Sequence, residues 1–188
     1  MNGSRKSKFP TFHQGKPLAS FLQFNCLENS LLKEGRESII KIEYVYTFQL
    51  TREQVWSCIQ DEEALKKAIP GCKTFQKLAE NEYSIEMGLS VGPVKGVFTG
   101  EVRQTDQEAP SFYRLHLKGK GKPGEVDAVA DMQLQDCEEG TQIICSADVN
   151  VTGVLASVGQ RIMNGVAKLM MGQFFKSMDK EMKLKLGA

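Results

Sequence analysis

Histidine is nearly absent: His13 and His116 are the two in 188 residues. A site that moves protons through paired imidazoles, or holds a metal on them, has almost nothing to draw on. Cysteine offers no substitute. Cys26, Cys58, Cys72, Cys137 and Cys145 are odd in number, and none stands at metal-ligand spacing from another Cys or a His. That usage reads as reduced thiols in a cytoplasmic compartment rather than a disulfide framework. No apolar run is long enough to span a bilayer. The basic N-terminal residues lack the continuous apolar stretch of a secretory signal. Charge of one sign is missing too: 24 Lys and Arg face 23 Asp and Glu, a net of +1, with a pI of about 7.6. No whole-protein field therefore points to nucleic acid or to an acidic substrate. No Ser or Cys carries a local nucleophile signature, so a catalyst is the minority expectation.

What is present is enough apolar sequence, 41% of residues, for one globular domain with a core. Residues 1–38 stand apart. Arg5, Lys6, Lys8 and Lys16 alternate irregularly with Phe9, Phe12, Phe21 and Phe24, and Pro10 and Pro17 break any period. This composition predicts a flexible N-terminal extension, dispensable for folding, ahead of a domain over 39–188. A misplaced start codon accounts for the same segment equally well.

From Ile39 the pattern becomes regular. Ile40, Ile42, Tyr44, Tyr46, Phe48 and Leu50 alternate with mostly polar residues, the mark of a half-buried strand. Thr51 with Gln54 forms a capping box for a helix carrying Val55, Trp56 and Ile59. Asp61 caps a second short helix, stopped by Pro70-Gly71. A run of strands follows, predicted over 72–80, 82–91, a stretch with Phe98, Gly100 and Val102 inward, 111–118, 125–135 and 141–151. After Gly153 the period becomes helical, and the width of the apolar face predicts a helix nearly surrounded along its first part. Segregated elements of this kind predict an α+β fold: a curved antiparallel sheet gripping one long C-terminal helix, with two short helices after the first strand.

A strongly curved sheet around one helix leaves space unless bulky residues fill it. The inward positions include the small residues Gly100, Ala128, Ala130 and Ala147, beside Met87, Leu89, Phe98, Leu115 and Met132. The facing helix brings Ile162, Met163, Val166, Met170 and Phe174, and methionine adapts to ligands of varied shape. These fourteen positions are the expected lining of an apolar ligand cavity. No catalytic residue, metal or cofactor is expected.

Three motifs mislead. Gly119-Lys120-Gly121-Lys122-Pro123-Gly124 fits a G-x-G-x-x-G string, but it lies between two strand patterns and contains proline, so it reads as a hairpin rather than a dinucleotide turn. Asn150-Val151-Thr152 is a glycosylation sequon at odds with the free-thiol usage. Asp61-Glu62-Glu63 complements a helix N-terminus rather than forming an acid–base pair.

From about Ile39 to Phe175 the chain resembles the G subunit of carbon monoxide dehydrogenase, in the Bet v 1/START-like (SRPBCC) superfamily. The resemblance is carried by Ile69-Pro70-Gly71-Cys72, Val91-Gly92-Pro93-Val94-Lys95-Gly96 and Phe98-Thr99-Gly100-Glu101-Val102. It continues in the Gly119-to-Gly124 loop and in Ala147 to Gly153, then through Gly159-Gln160-Arg161 to Phe174-Phe175. It implies a helix-grip fold, a hydrophobic pocket and no bound metal. It also implies an accessory role beside a molybdenum carbon monoxide dehydrogenase-like oxidoreductase, in membrane association or in quinone or lipid handling. The sequence ends at Leu186-Gly187-Ala188 without a proline-rich linker or apolar anchor, so weak peripheral contact, through Lys176, Lys180, Lys183 and Lys185, is expected rather than insertion. The competing functions are a pure protein-docking module and an enzyme of the superfamily such as a cyclase.

Overall fold

The structure, a computed structural model, describes residues 38–187. The expected extension over 1–38 lies outside the described residues, except that Ser38 already belongs to the first strand. That strand, β1 (Ser38–Phe48), leads into two short helices, α1 (Arg52–Ile59) and α2 (Glu62–Ala68). Six strands follow: β2 (Cys72–Ala79), β3 (Glu82–Val91), β4 (Val94–Glu108), β5 (Phe112–Gly121), β6 (Gly124–Cys137) and β7 (Gly140–Val151). A single-turn helix, α3 (Val154–Ser157), and the long α4 (Gln160–Leu186) complete the order.

Seven strands form one antiparallel sheet in the order β1-β7-β6-β5-β4-β3-β2. Consecutive strands from β2 to β7 are joined by short turns, which antiparallel pairing permits. β1 and β2 are the two edges of this sheet, and α1 and α2 carry the chain between them. Local chemistry fixes both helix starts. The Thr51 hydroxyl accepts from the Gln54 backbone N–H at 3.4 Å while the Gln54 side chain accepts from the Thr51 N–H at 3.0 Å. One Asp61 oxygen accepts from the Ala64 N–H at 2.8 Å. The Gly119-to-Gly124 string is the β5–β6 hairpin, with Gly121 paired to Gly124 across Lys122-Pro123.

Period-two alternation sends one face of the sheet toward α4. The buried residues fall into two clusters. One gathers Phe48, Val55, Ile59, Tyr113, Met132, Leu134 and Ile143 around Phe175, Met178 and Met182 of α4. Its aromatic residues interlock: Phe175 stacks on Tyr44 and Tyr46 at 5.7 and 5.6 Å, and Trp56 meets Tyr113 edge-on at 5.6 Å. The other gathers Ile40, Ile42, Val94, Phe98, Val151 and Leu155. Each large side chain removed from water in this way contributes about 1.5–3 kcal/mol.

The long helix differs from expectation. Its buried residues are Phe175, Met178 and Met182, all in the second half, whereas its first half is half-exposed. The cause is the placement of the short helices: α2 packs on α4, and α1 on α4, β6 and β7, so they close over the second half. The helical segment is also divided, because Gly159 at φ 90° separates α3 from α4.

Candidate ligand-binding groove

The register of the sheet assembles the inner face in rows. One row runs Gln104, Leu115, Ala130, Ala147, Ile42 across β4, β5, β6, β7 and β1. Its neighbour runs Val102, Leu117, Ala128, Val149, Ile40. Alanines occupy the middle of these rows, where the sheet is opposite α4. Ala147 and Met171 pack against both buried clusters, so they mark the seam between them. Around that seam the apolar side chains are only half-buried: Met87, Leu89, Leu115, Leu117, Val149, Met163, Val166, Ala167 and Phe174. A packed core buries such residues completely. Here a groove of apolar walls remains open to solvent between sheet and helix.

The groove is chemically quiet. Burial, with the Asp131 charge adding to it, pushes the Cys145 thiol up to about 11. Burial likewise raises Cys58, and raises the Tyr113 hydroxyl. At neutral pH these groups stay protonated, so neither thiol is a nucleophile. Thr141 is buried, and its hydroxyl donates to the Leu50 carbonyl at 2.8 Å. His116 lies on the opposite face of β5, its Nε2 3.2 Å from the Thr105 hydroxyl. Among the described residues no group of three His, Cys, Asp or Glu could hold a metal ion.

The structure distributes the fourteen expected lining residues unevenly. Phe98, Ala128, Ala130 and Met132 are buried; Met87, Leu89, Leu115, Ala147, Met163, Val166, Met170 and Phe174 are half-buried. Met132 belongs to the tightly packed cluster under α1, beside Tyr113 and Cys145. Two expectations are corrected. Ile162 is 52% exposed and turns away from the sheet, because it sits one residue, about 100° of helix, from the inward Met163. Gly100 does face inward, yet it leaves no room for a ligand: a Cβ there would collide with the Lys118 carbonyl oxygen. Its smallness serves the close approach of β5.

One inward residue was missed. The alternation Phe98, Gly100, Val102 continues to Gln104, whose Nε2 is buried without a hydrogen-bond partner. The signal was available in the sequence, since extending the period by one step places a polar residue on the apolar face.

The opposite face of the sheet is polar. A cleft of about 710 Å³ there sets Lys118 and Lys120 among Glu86, Glu101, Glu125 and Asp127. Lys120 is paired with Glu125 at 3.4 Å, and both side chains are mostly exposed, as expected for a solvated sheet face.

Comparison with known proteins agrees with this geometry. The family model for CoxG, the G subunit of carbon monoxide dehydrogenase, matches residues 47–183. A search of curated proteins finds no match. Among solved structures, a conserved protein from Geobacillus kaustophilus is 33% identical, covering 78% of this chain and 94% of its own, with a TM-score of 0.69. Ara h 8.0201 (13% identity, 77% of this chain and 98% of its own, TM-score 0.58) shares the fold alone. So does the Zhui aromatase/cyclase from Streptomyces sp. R1128 (8% identity, 79% and 96%, TM-score 0.58). With the helix-grip architecture and a family match over most of its length, the chain belongs to the carbon monoxide dehydrogenase CoxG family of the Bet v 1/START-like superfamily.

Proposed function

We propose that the protein is a non-catalytic accessory protein that carries an apolar ligand, a quinone or lipid-like molecule, in the groove between sheet and α4. In this reading it serves a molybdenum carbon monoxide dehydrogenase-like oxidoreductase from the cytoplasmic side, with at most peripheral contact to the membrane. The observation that carries the reading is the half-exposure of apolar residues around the Ala147–Met171 seam, where a ligandless core would be closed. The inward alanines supply width and the methionines of α4 supply adaptable contact. The raised thiol pKa values and the outward His116 support a carrier over a catalyst. No helix among the described residues is long and apolar enough to cross a membrane, which fits peripheral contact.

A cyclase reading has one point in its favour, the shared fold with an aromatase/cyclase, and that likeness concerns architecture only. Native mass spectrometry of the protein isolated from its own host tests the proposal. A retained apolar mass of quinone or lipid size supports it. A partner enzyme retained with no small molecule favours a pure docking module instead.

A further inference from the structure

We propose that Gln104 donates a hydrogen bond to a carbonyl oxygen of the bound ligand, fixing which end of the molecule enters the groove at β4. The proposal rests on the carrier reading above and adds to it a polar recognition point.

Gln104 lies on the inner face because the register from Phe98 to Thr105 is unbroken on the β5 side. Its backbone is already satisfied, the N–H donating to the Asn81 carbonyl at 2.9 Å. The side chain is different. Its Nε2 is buried and takes no partner among the described residues. A buried amide donor left unpaired costs as much as a lost hydrogen bond, so a purely structural residue at this point would be apolar. Methionine or leucine would fill the same volume without that cost. Gln104 also stands at one end of the row that continues through Leu115, Ala130 and Ala147. Short side chains thus open a lane leading away from the orphan donor. An elongated or flat apolar molecule lying in that lane, with a carbonyl oxygen at its leading end, satisfies the donor and covers the alanines together. A hydrocarbon of the same shape covers the alanines and leaves the amide unpaired.

The test uses the full-length protein and two probes of the same outline. These are 2,3-dimethyl-1,4-naphthoquinone, whose substituted ring carbons resist thiol addition, and 2,3-dimethylnaphthalene. Binding is measured by equilibrium dialysis to wild type and to Gln104→Met, which nearly keeps volume. Wild type is expected to prefer the quinone. In Gln104→Met the quinone affinity should fall roughly 5- to 10-fold, the worth of one hydrogen bond, with hydrocarbon affinity unchanged. A second measurement needs no variant: in wild-type protein labelled with nitrogen-15, the Gln104 side-chain amide resonances should move with the quinone and stay put with the hydrocarbon. Equal affinities for the two probes in wild type, an unchanged preference in Gln104→Met, or immobile Gln104 resonances overturn the role of Gln104 and leave the groove standing. Failure of both probes to bind wild type overturns the carrier reading and this inference together.

Discussion

The ring of Phe98 on β4 lies directly over Gly121, its register partner on β5, so that a Cβ at position 121 would stand 2.6 Å from the nearest ring carbon. The pair closes the end of the sheet where Val94 and Leu155 are also buried. Gly121→Val should displace the ring and destabilise the domain by about 1–3 kcal/mol, the range for overpacking. Urea unfolding of the variant against wild type measures it; an unchanged midpoint would show that the ring moves without cost.

Much of this fold could be read from residue patterns, and the exceptions have physical causes. Strict alternation fixed the faces of β1, β3, β5, β6 and β7, and Thr51, Asp61 and Pro70 marked the helix limits near where they fall. The burial profile of α4 was not legible, because it depends on where α1 and α2 land rather than on the periodicity of the helix itself. At the site, Ala128, Ala130 and Ala147 were recognisable as inward and small. Gly100 looked the same in sequence, but only the folded chain shows that its missing side chain is required by the Lys118 backbone. Ile162 was apolar at a plausible spacing, and the choice between it and Met163 turned on the rotation of the helix.

The cysteines should report burial chemically. Cys137 is exposed, whereas Cys58 and Cys145 are buried with raised pKa values. Under native conditions at neutral pH, iodoacetamide should label Cys137 well before Cys58 or Cys145, which react only on unfolding. Digestion and mass spectrometry assign the sites. Early labelling of Cys145 would show that the interior opens far more readily than this packing allows.

Asp61 ties α2 to the end of α4. One carboxylate oxygen caps α2 and the other accepts from Lys185 Nζ at 2.6 Å. The Lys185 hydrogen bond, then the Ala64 N–H, hold the Asp61 carboxyl below its ordinary pKa. A depressed carboxylate contributes stability that is complete above its unfolded pKa and disappears as pH falls through the folded one. Asp61→Asn keeps a capping side chain and removes the charge, so its cost should be under about 1 kcal/mol for so exposed a pair. The difference from wild type should be constant from about pH 5 to 8 and shrink below about pH 4. Thermal unfolding across that range checks it; a difference that grows at acid pH would have the wrong sign.

Peripheral membrane contact through the helix end is weaker than the four lysines imply. Lys183 is bonded to Asp179 at 2.9 Å and Lys185 to Asp61 at 2.6 Å, while Lys176 and Lys180 form no ion pair among the described residues. Two free lysines near an anionic surface supply about 2 kcal/mol. Sedimentation with phosphatidylserine vesicles at low salt should show slight binding that Lys176→Glu with Lys180→Glu abolishes. No wild-type binding at low salt removes this contact from the account.

The most direct test of the groove is a titration of a menaquinone analogue and of a fatty acid against wild type, Ala130→Phe and Met170→Leu. Ala130 is 6% exposed between Leu115 and Ala147, so a phenyl ring there should occupy the lane. A ligand of ~30 heavy atoms at roughly −0.3 kcal/mol per atom reaches about micromolar affinity or better. Wild type and Met170→Leu should bind at least one of the two ligands alike, since that exchange nearly conserves volume. Ala130→Phe, confirmed as folded by cooperative thermal unfolding, should lose at least about tenfold, or ~1.4 kcal/mol. If neither ligand binds wild type, or if folded Ala130→Phe binds as wild type does, the groove is not the site and the docking-module function replaces it.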